Sequence, residues 1–563
     1  MSWLNEHLKK ALIFSLILNS ALAFSNFYSR TYDSYGHMFF ADHYRRSWFN
    51  TWEPRWYGGF RVTCYPPLAH QSIALFSFIM NIETAYLLVT LILMLMLPVA
   101  VYSFSKMFIT EKEASCSALL SVFLPSVIQS VYVFGQLPLL YSLVATLFLC
   151  SSFYKYLTRG NKFNLIQSVC LLGIAGASHH MTFTFFALPL IFVLFLTVLI
   201  LARRPERKSV SKRFVLFISI GGLVCSIILY PFFSAVFNIG YQKPIPHPSR
   251  TNYFENFEAF RAFFLNAYGP LLILIPLSFI YGLRDKRLLL LFTFGILMFI
   301  LGLGGTTPLP QVLFGKLWEQ LVYGRFAVYA GIVLTVFFGK NVSNISCDEK
   351  WGKIFTIFLL ISIIGFASYI GNKTLYTPQP EQVPLQEIAA FLNKDYHWKW
   401  RYITLGFGRS QMCKLSIMTN ATTLDGFYPA GRTLPILKES GIGPLDAAKY
   451  YPGGLLVLEK ILSDSSEYNL KYVLCNDPTY EELLNRTGFT PINEKYGKVT
   501  IWVKSGTPTV NIGIESPTFS DFLWGTLPLA TLLVYFVTLT YHALKKIRLN
   551  GNSIISASSL NLV

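Results

Sequence analysis

Residues 11–37, ALIFSLILNSALAFSNFYSRTYDSYGH, carry the chain through an apolar run and then straight to an acid. The apolar part, 11–25, approaches the roughly 20 residues that cross a hydrocarbon core. Asp33 stands only a few positions beyond it, ahead of a long loop crowded with Trp, Tyr, Arg, His and carboxylates. A strongly apolar chain has little reason to place a carboxylate there unless that face handles a polar substrate.

The rest of the sequence repeats the first half of that pattern. Of 563 residues, 53% are hydrophobic and only 13% charged, and the mean hydropathy is +0.46. This is far more apolar surface than a soluble protein of this length can bury. Further runs of spanning length recur near 85–107, 115–133, 137–156, 163–178, 181–202, 213–236, 262–283, 287–303, 320–339, 353–371 and 521–543. The expected class is a polytopic α-helical membrane protein of about twelve spans. The stretch Leu68 to Met80 is too short to cross and would upset the parity of the loops, so it reads as a re-entrant or juxtamembrane helix. The first run resembles a signal-peptide core but lacks a small-residue cleavage site and reads as an uncleaved helix.

The net charge of +18 orients the chain rather than pointing to nucleic acid. Lys and Arg gather in short loops between alternate spans, at Lys9/Lys10, Lys106/Lys112, Lys155/Arg159/Lys162, Arg203 to Arg213, Arg284/Lys286/Arg287, Lys340/Lys350/Lys353 and Lys545/Lys546/Arg548. The positive-inside rule makes these loops cytoplasmic, and with them both termini. The loop 26–67, the turn at Ser178-His179-His180, the segment Asn238 to Glu258, the loop Gly304 to Gly324 and the block 372–520 then face outward.

Three regions follow: a transmembrane module 1–371 with its outer loop 26–67, an extracytoplasmic domain 372–520, and a last transmembrane helix with a cytoplasmic tail, 521–563. The domain alternates period-2 and helical patterning, as a small α/β unit does. Helices are expected near 385–392, 455–462 and 480–484, and strands near 402–405, 472–474 and 499–503. Pro378, Pro380 and Pro384 mark its entry. The eight cysteines lack metal-type spacing; Cys413 and Cys475 share the domain and form the candidate disulfide. Sequons at Asn372, Asn420 and Asn485 suit an exposed domain, but two more, at Asn341 and Asn344, fall in a loop placed inside.

Candidate chemistry concentrates on the outer side. Asp33 and His37 stand i, i+4 and share a helical face, with Asp42 and His43 on the following turns. A carboxylate beside an imidazole serves as a general base with its partner, or as two ligands of a divalent cation; holding a surface helix is the plainer alternative. Trp48, Trp52, Glu53, Trp56 and Tyr57, followed by Tyr65-Pro66-Pro67-Leu68, read as an interfacial aromatic belt, with sugar stacking as the sharper alternative. His179 and His180 sit between two spans, where polar groups lean toward function. Arg325 opens a span from the outer side, placed to neutralise a lipid phosphate or else to snorkel, and Arg250 is a second candidate for that duty.

The early Asp33, the aromatic-rich stretch and Tyr65-Pro66-Pro67-Leu68 resemble the GT-C superfamily of membrane glycosyltransferases. His179-His180, the run Gly302 to Pro310, Arg325-Phe326 and the trailing outer domain are similar to a prokaryotic group of membrane proteins labelled as related to 6-pyruvoyl-tetrahydropterin synthase. The nine histidines run from His7 to His542, mostly in different loops, unlike the clustered zinc ligands of that synthase, so pterin chemistry is not expected. No Trp-Trp-Asp occurs, which argues against whole-glycan transfer to asparagine, and Asp33 lacks the close second acid of many relatives. The resemblance implies transfer of a sugar, with inversion, from a polyprenyl-phosphate donor to an extracytoplasmic glycan or protein. Asp33 would act as base, Arg325, with Arg250 or a divalent cation, would hold the phosphate, and His37, His179, His180, Asp42 and His43 would complete the site. A secondary transporter and a non-catalytic scaffold of cell-surface polymer assembly are the other classes. A transporter would carry ionisable groups at mid-span, whereas here they gather at the outer rim.

Overall fold

The computed structural model describes residues 6–347, 350–372, 380–510, 513 and 515–559. Pro378, and the rest of the sequon that begins at Asn372, lie outside the described residues. The protein is mostly helical. Among the described residues, nine helices are long and apolar enough to cross a bilayer. At the other three expected positions the structure has the helices Glu6–Phe24, Lys162–Ser178 and Lys286–Gly302, of 19, 17 and 17 residues.

Polar side chains set where these helices begin. Asn81 accepts the Thr84 N–H, and Thr110 and Glu113 form a reciprocal capping box. Asn161 and Asp285 cap the helices that follow them. Each satisfies a backbone donor that would otherwise be left without a partner. Burial then separates the helices by position. The apolar window of Gly324–Ser346 is 94% buried, against 22% for Lys350–Ile370, so the former is the axis of the bundle and the latter its lipid-facing wall. Gly339 lets the axis press on a neighbour, because a Cβ there would lie 2.6 Å from the Ser117 N and 2.7 Å from the Glu113 O. Small residues at such crossings are what permits close helix packing in lipid.

Leu68–Ser77 is a ten-residue helix. At 1.5 Å per residue it spans about half a hydrocarbon core, and its first seven residues are buried inside the protein.

The α/β unit consists of strands Arg401–Leu405, Leu470–Cys475, Thr490–Tyr496 and Val499–Val503, in the spatial order first, second, fourth, third. The first pair is parallel and the others antiparallel. Leu385–Asn393, Gly454–Ser463 and Glu481–Arg486 stand where helices were expected. Three elements depart from expectation: the strand Thr490–Tyr496 and the helices Arg409–Met418 and Pro435–Ser440. Cys413 and Cys475 are both buried free thiols rather than a disulfide. Asn341 and Asn344 lie within the helix Gly324–Cys347, where their side-chain amides donate to Leu274 O and Tyr281 Oη.

The loop 26–67 is wedged between bundle and α/β unit instead of lying in an interface. Trp56 is fully buried, stacks on Phe39 at 3.7 Å between centroids, and donates from its indole to Ser416 Oγ at 2.9 Å. Trp48 donates to Gly525 O at 3.0 Å. The last helix, Phe519–Ser559, is stitched to the same loop by Trp524 donating to Tyr44 Oη and by Thr51 donating to Asp521.

Candidate active site

Asp33 occupies the position before the helix Ser34–Arg46, where an acid usually caps the first turn, yet its side chain makes no capping bond. Its backbone is used instead. The N–H donates to Phe134 O at 3.0 Å, and the carbonyl accepts from His37 N at 2.9 Å. Thr31 donates to Ser34 Oγ, which donates to Tyr86 Oη, which in turn donates to Gly135 O. Gly135 has φ +76°, and a Cβ there would meet the Ser34 N at 2.7 Å. The turn is thus held from both sides while the carboxylate stays available: among the described residues no hydrogen bond or ion pair takes it up. Burial pushes its pKa up to about 6, against the opposing pull of Arg409 and Arg325. Penalised ionisation with partial charge compensation is the state expected of a carboxylate base.

Arg325 opens the axial helix. Its Nε is buried without a hydrogen-bond partner among the described residues. Its charge acts on Asp33, His37, His179, His180, His247, Tyr65 and Tyr428, so these groups share one junction between bundle and α/β unit. Tyr65, from Tyr65-Pro66-Pro67-Leu68, is its hub. Its ring lies 5.7 Å from His37, 5.1 Å from His70, 6.4 Å from His179, 5.9 Å from His180 and 4.8 Å from Tyr428.

The structure brings Asp33, His37, His179, His180 and Arg325 to this junction. The expected Asp33–His37 pair does not form. His37 Nδ1 instead meets His70 Nε2 at 3.1 Å, and burial, then Arg325, lower its pKa to about 3, so the imidazole is neutral. His179 bonds Thr182 through Nδ1, whereas His180 Nδ1 is buried without a partner.

The remaining candidates are turned inward. Asp42 is fully buried and receives Arg45, Arg46 and Arg55 at 2.7, 2.7 and 2.6 Å. His43 meets Glu53 at 3.0 Å and Asn50 O at 2.9 Å. Both side chains are therefore spent on fixing the loop rather than open to a substrate. Arg250 donates to Leu321 O and Ile245 O. The run Gly302 to Pro310 docks its segment, since a Cβ at Gly305 would lie 2.1 Å from Arg250 O. That arginine ties down a joint.

Sequence reasoning missed Arg409, Tyr428 and His70. Arg409 starts the helix Arg409–Met418, lies over the rings of Tyr32 and Phe427 at 5.9 and 5.8 Å, and donates to Tyr451 Oη at 3.3 Å. No local pattern marks it; only the docking of the α/β unit onto the Asp33 turn does. A divalent cation is poorly served at this junction. Among the described residues no group of three or more His, Cys, Asp or Glu side chains converges, and the charges of two guanidinium groups already act on Asp33.

The chain belongs to the family of membrane proteins with a 6-pyruvoyl-tetrahydropterin synthase related domain, whose family model matches residues 62–372, more than half of the chain. Arg250, His179, His180 and Arg325 lie within the matched stretch and Asp33 ahead of it. In fold, the chain is similar to the apo oligosaccharyltransferase of Archaeoglobus fulgidus (11% identity, TM-score 0.56, covering 90% of this chain and 75% of that one). It is also similar to ArnT of Cupriavidus metallidurans bound to undecaprenyl phosphate (10%, 0.51, 88% and 98%). A third similar structure is the arabinofuranosyltransferase AftD from Mycobacteria (12%, 0.53, 89% and 42%). Identities this low speak for the fold alone. No curated protein matches the sequence.

Proposed function

We propose that this protein is a glycosyltransferase that moves a sugar from a polyprenyl-phosphate-linked donor to a hydroxyl of an extracytoplasmic glycan or protein acceptor, with inversion. The observation that carries this reading is the Asp33 carboxylate, unclaimed among the described residues and of raised pKa, within electrostatic reach of Arg325, whose buried Nε has no partner among them. Asp33 takes the acceptor proton as the acceptor attacks the anomeric carbon. The bond from that carbon to the phosphate oxygen breaks with its electron pair going to the phosphate, where Arg325 meets the growing charge. His179 and His180 line the donor side, and neutral His37, held by His70, supports the wall beneath Tyr65. One of the similar structures, ArnT of Cupriavidus metallidurans, carries undecaprenyl phosphate, which suits a lipid-phosphate donor here.

Charge supports the sidedness. Asp33 and the α/β unit share one end of the bundle, whereas Arg213 with Leu157 O, and Lys106 with Glu111, mark a basic opposite end. Ionisable groups collected at one rim favour a transferase over a transporter. The test is transfer of radiolabelled sugar from lipid-linked donors, extracted from host membranes, to acceptors in the same membranes. Asp33→Asn should abolish transfer while the purified variant still binds undecaprenyl phosphate. Unchanged transfer ends the catalytic reading.

A further inference from the structure

We propose that Arg409 of the α/β unit is a second substrate-binding cation of this site, and that together with Arg325 it matches the site to a donor carrying one phosphate rather than two. The inference rests on the glycosyltransferase reading above.

Geometry comes first. Arg409 lies over the ring of Tyr32, the residue before Asp33, at 5.9 Å, and its charge acts on Asp33 together with that of the bundle's Arg325. Its place is built in. The preceding backbone is anchored by Asp446, which accepts from the N–H groups of Phe407 and Gly408 at 2.9 and 2.7 Å. Asp446 is itself held by Asp425, which accepts its N–H at 2.9 Å. Gly36 allows Phe427, one of the two rings under Arg409, to sit against the Asp33 helix, because a Cβ there would lie 2.5 Å from that ring. Yet the guanidinium pairs with no carboxylate within ion-pair distance among the described residues; it gives one bond to a tyrosine hydroxyl. A fixed, partly exposed cation with donors to spare thus stands beside the turn that carries the reacting carboxylate.

The charge balance gives the class of ligand. Asp446 and Asp425 bond backbone N–H groups; among the groups that meet the reacting atoms, two guanidinium groups offset the ionised Asp33 and a singly charged sugar phosphodiester, for a net charge of zero. After transfer, the phosphate monoester carries two negative charges and Asp33 holds the acceptor's proton, and the sum is again zero. A diphosphate donor leaves one negative charge uncompensated at both stages, as does a monophosphate donor without Arg409. The imidazoles do not alter this tally, since burial keeps His37 and His247 neutral near pH 7. Uncompensated charge in a poorly solvated junction is costly.

The experiment measures binding of undecaprenyl phosphate and undecaprenyl diphosphate to the purified full-length chain in nanodiscs, for wild type, Arg409→Gln, Arg409→Lys and Arg325→Gln. The wild type should prefer the monophosphate. Arg409→Gln should weaken its binding by about tenfold or more, the scale of a lost charge-assisted contact, and Arg409→Lys should restore part of it. An unchanged melting temperature shows that the fold is retained. Loss of binding in Arg325→Gln but not in Arg409→Gln overturns the role of Arg409, and wild-type preference for the diphosphate overturns the donor class. If the wild type binds neither lipid, the glycosyltransferase reading itself falls.

Discussion

At the scale of single residues, Asp33 couples function to a cost in stability. Its pKa in the folded protein, about 6, lies above its ordinary 3.8, so the fold favours the protonated acid. The penalty is absent below the ordinary value, grows as pH rises between the two, and is complete above about 6. Asp33→Asn, which cannot ionise, should therefore raise the melting temperature at pH 7 and leave it unchanged near pH 3; a lower melting temperature at pH 7 would contradict the burial argument. Activity runs the other way. The pH profile of kcat/KM should fall below about pH 6, as protonation removes the base. Asp42 makes the contrast. It is buried beneath three arginines, of which Arg55 is buried and also pairs with Glu53, so Asp42→Asn should cost about 1–3 kcal/mol of folding free energy by weakening a buried charge-assisted contact, visible as a drop in thermal stability. Sequence spacing placed both acids on one short helix, but it carries no sign of which one is neutralised by its surroundings.

At the scale of elements, glycines decide whether the Asp33 turn closes. Gly135 adopts φ +76° against the Ser34 backbone, so Gly135→Ala combines backbone strain with a clash and should lower kcat by displacing Asp33, while helical content by circular dichroism stays constant. Legibility of the elements follows from where their information resides. The apolar runs near 85–107 and 137–156 announce the helices Ile82–Ser105 and Leu137–Arg159, because hydrocarbon demands uninterrupted apolar length. Thr490–Tyr496 was not legible. It is a largely exposed edge strand with Glu494 and Lys495, and charge at an edge guards against further pairing while erasing the alternation that marks a strand. The Trp residues of loop 26–67 misled for a different reason: indoles suit a lipid interface and a packed seam equally, and only tertiary contact shows that Trp56 belongs to the seam. Arg325 and His179-His180 were legible because polar groups stand out at the ends of apolar runs. Arg409 sits in a polar domain where one arginine looks like any other.

At the scale of the whole molecule, the proposed sidedness can be read directly. Glu494→Cys, on the exposed edge of the α/β unit, should react with a membrane-impermeant maleimide in intact cells, and Lys208→Cys, in the basic segment at the other end, should react only after permeabilisation; the opposite pattern would invert the topology. Cys413 and Cys475 are buried free thiols, so reducing agents should leave the melting temperature where it is. The seam between the two halves is also tied to the end of the chain. Trp524 and Asp521, at the start of the final helix, hold Tyr44 and Thr51 of the loop whose first helix follows Asp33. A ribosome must therefore extend the chain through Trp524, and the insertion machinery must place the helix that begins at Phe519, before that loop acquires its full set of anchors. Half-made chains already in the bilayer would lack this support, which separates biogenesis from activity without any dedicated inhibitor.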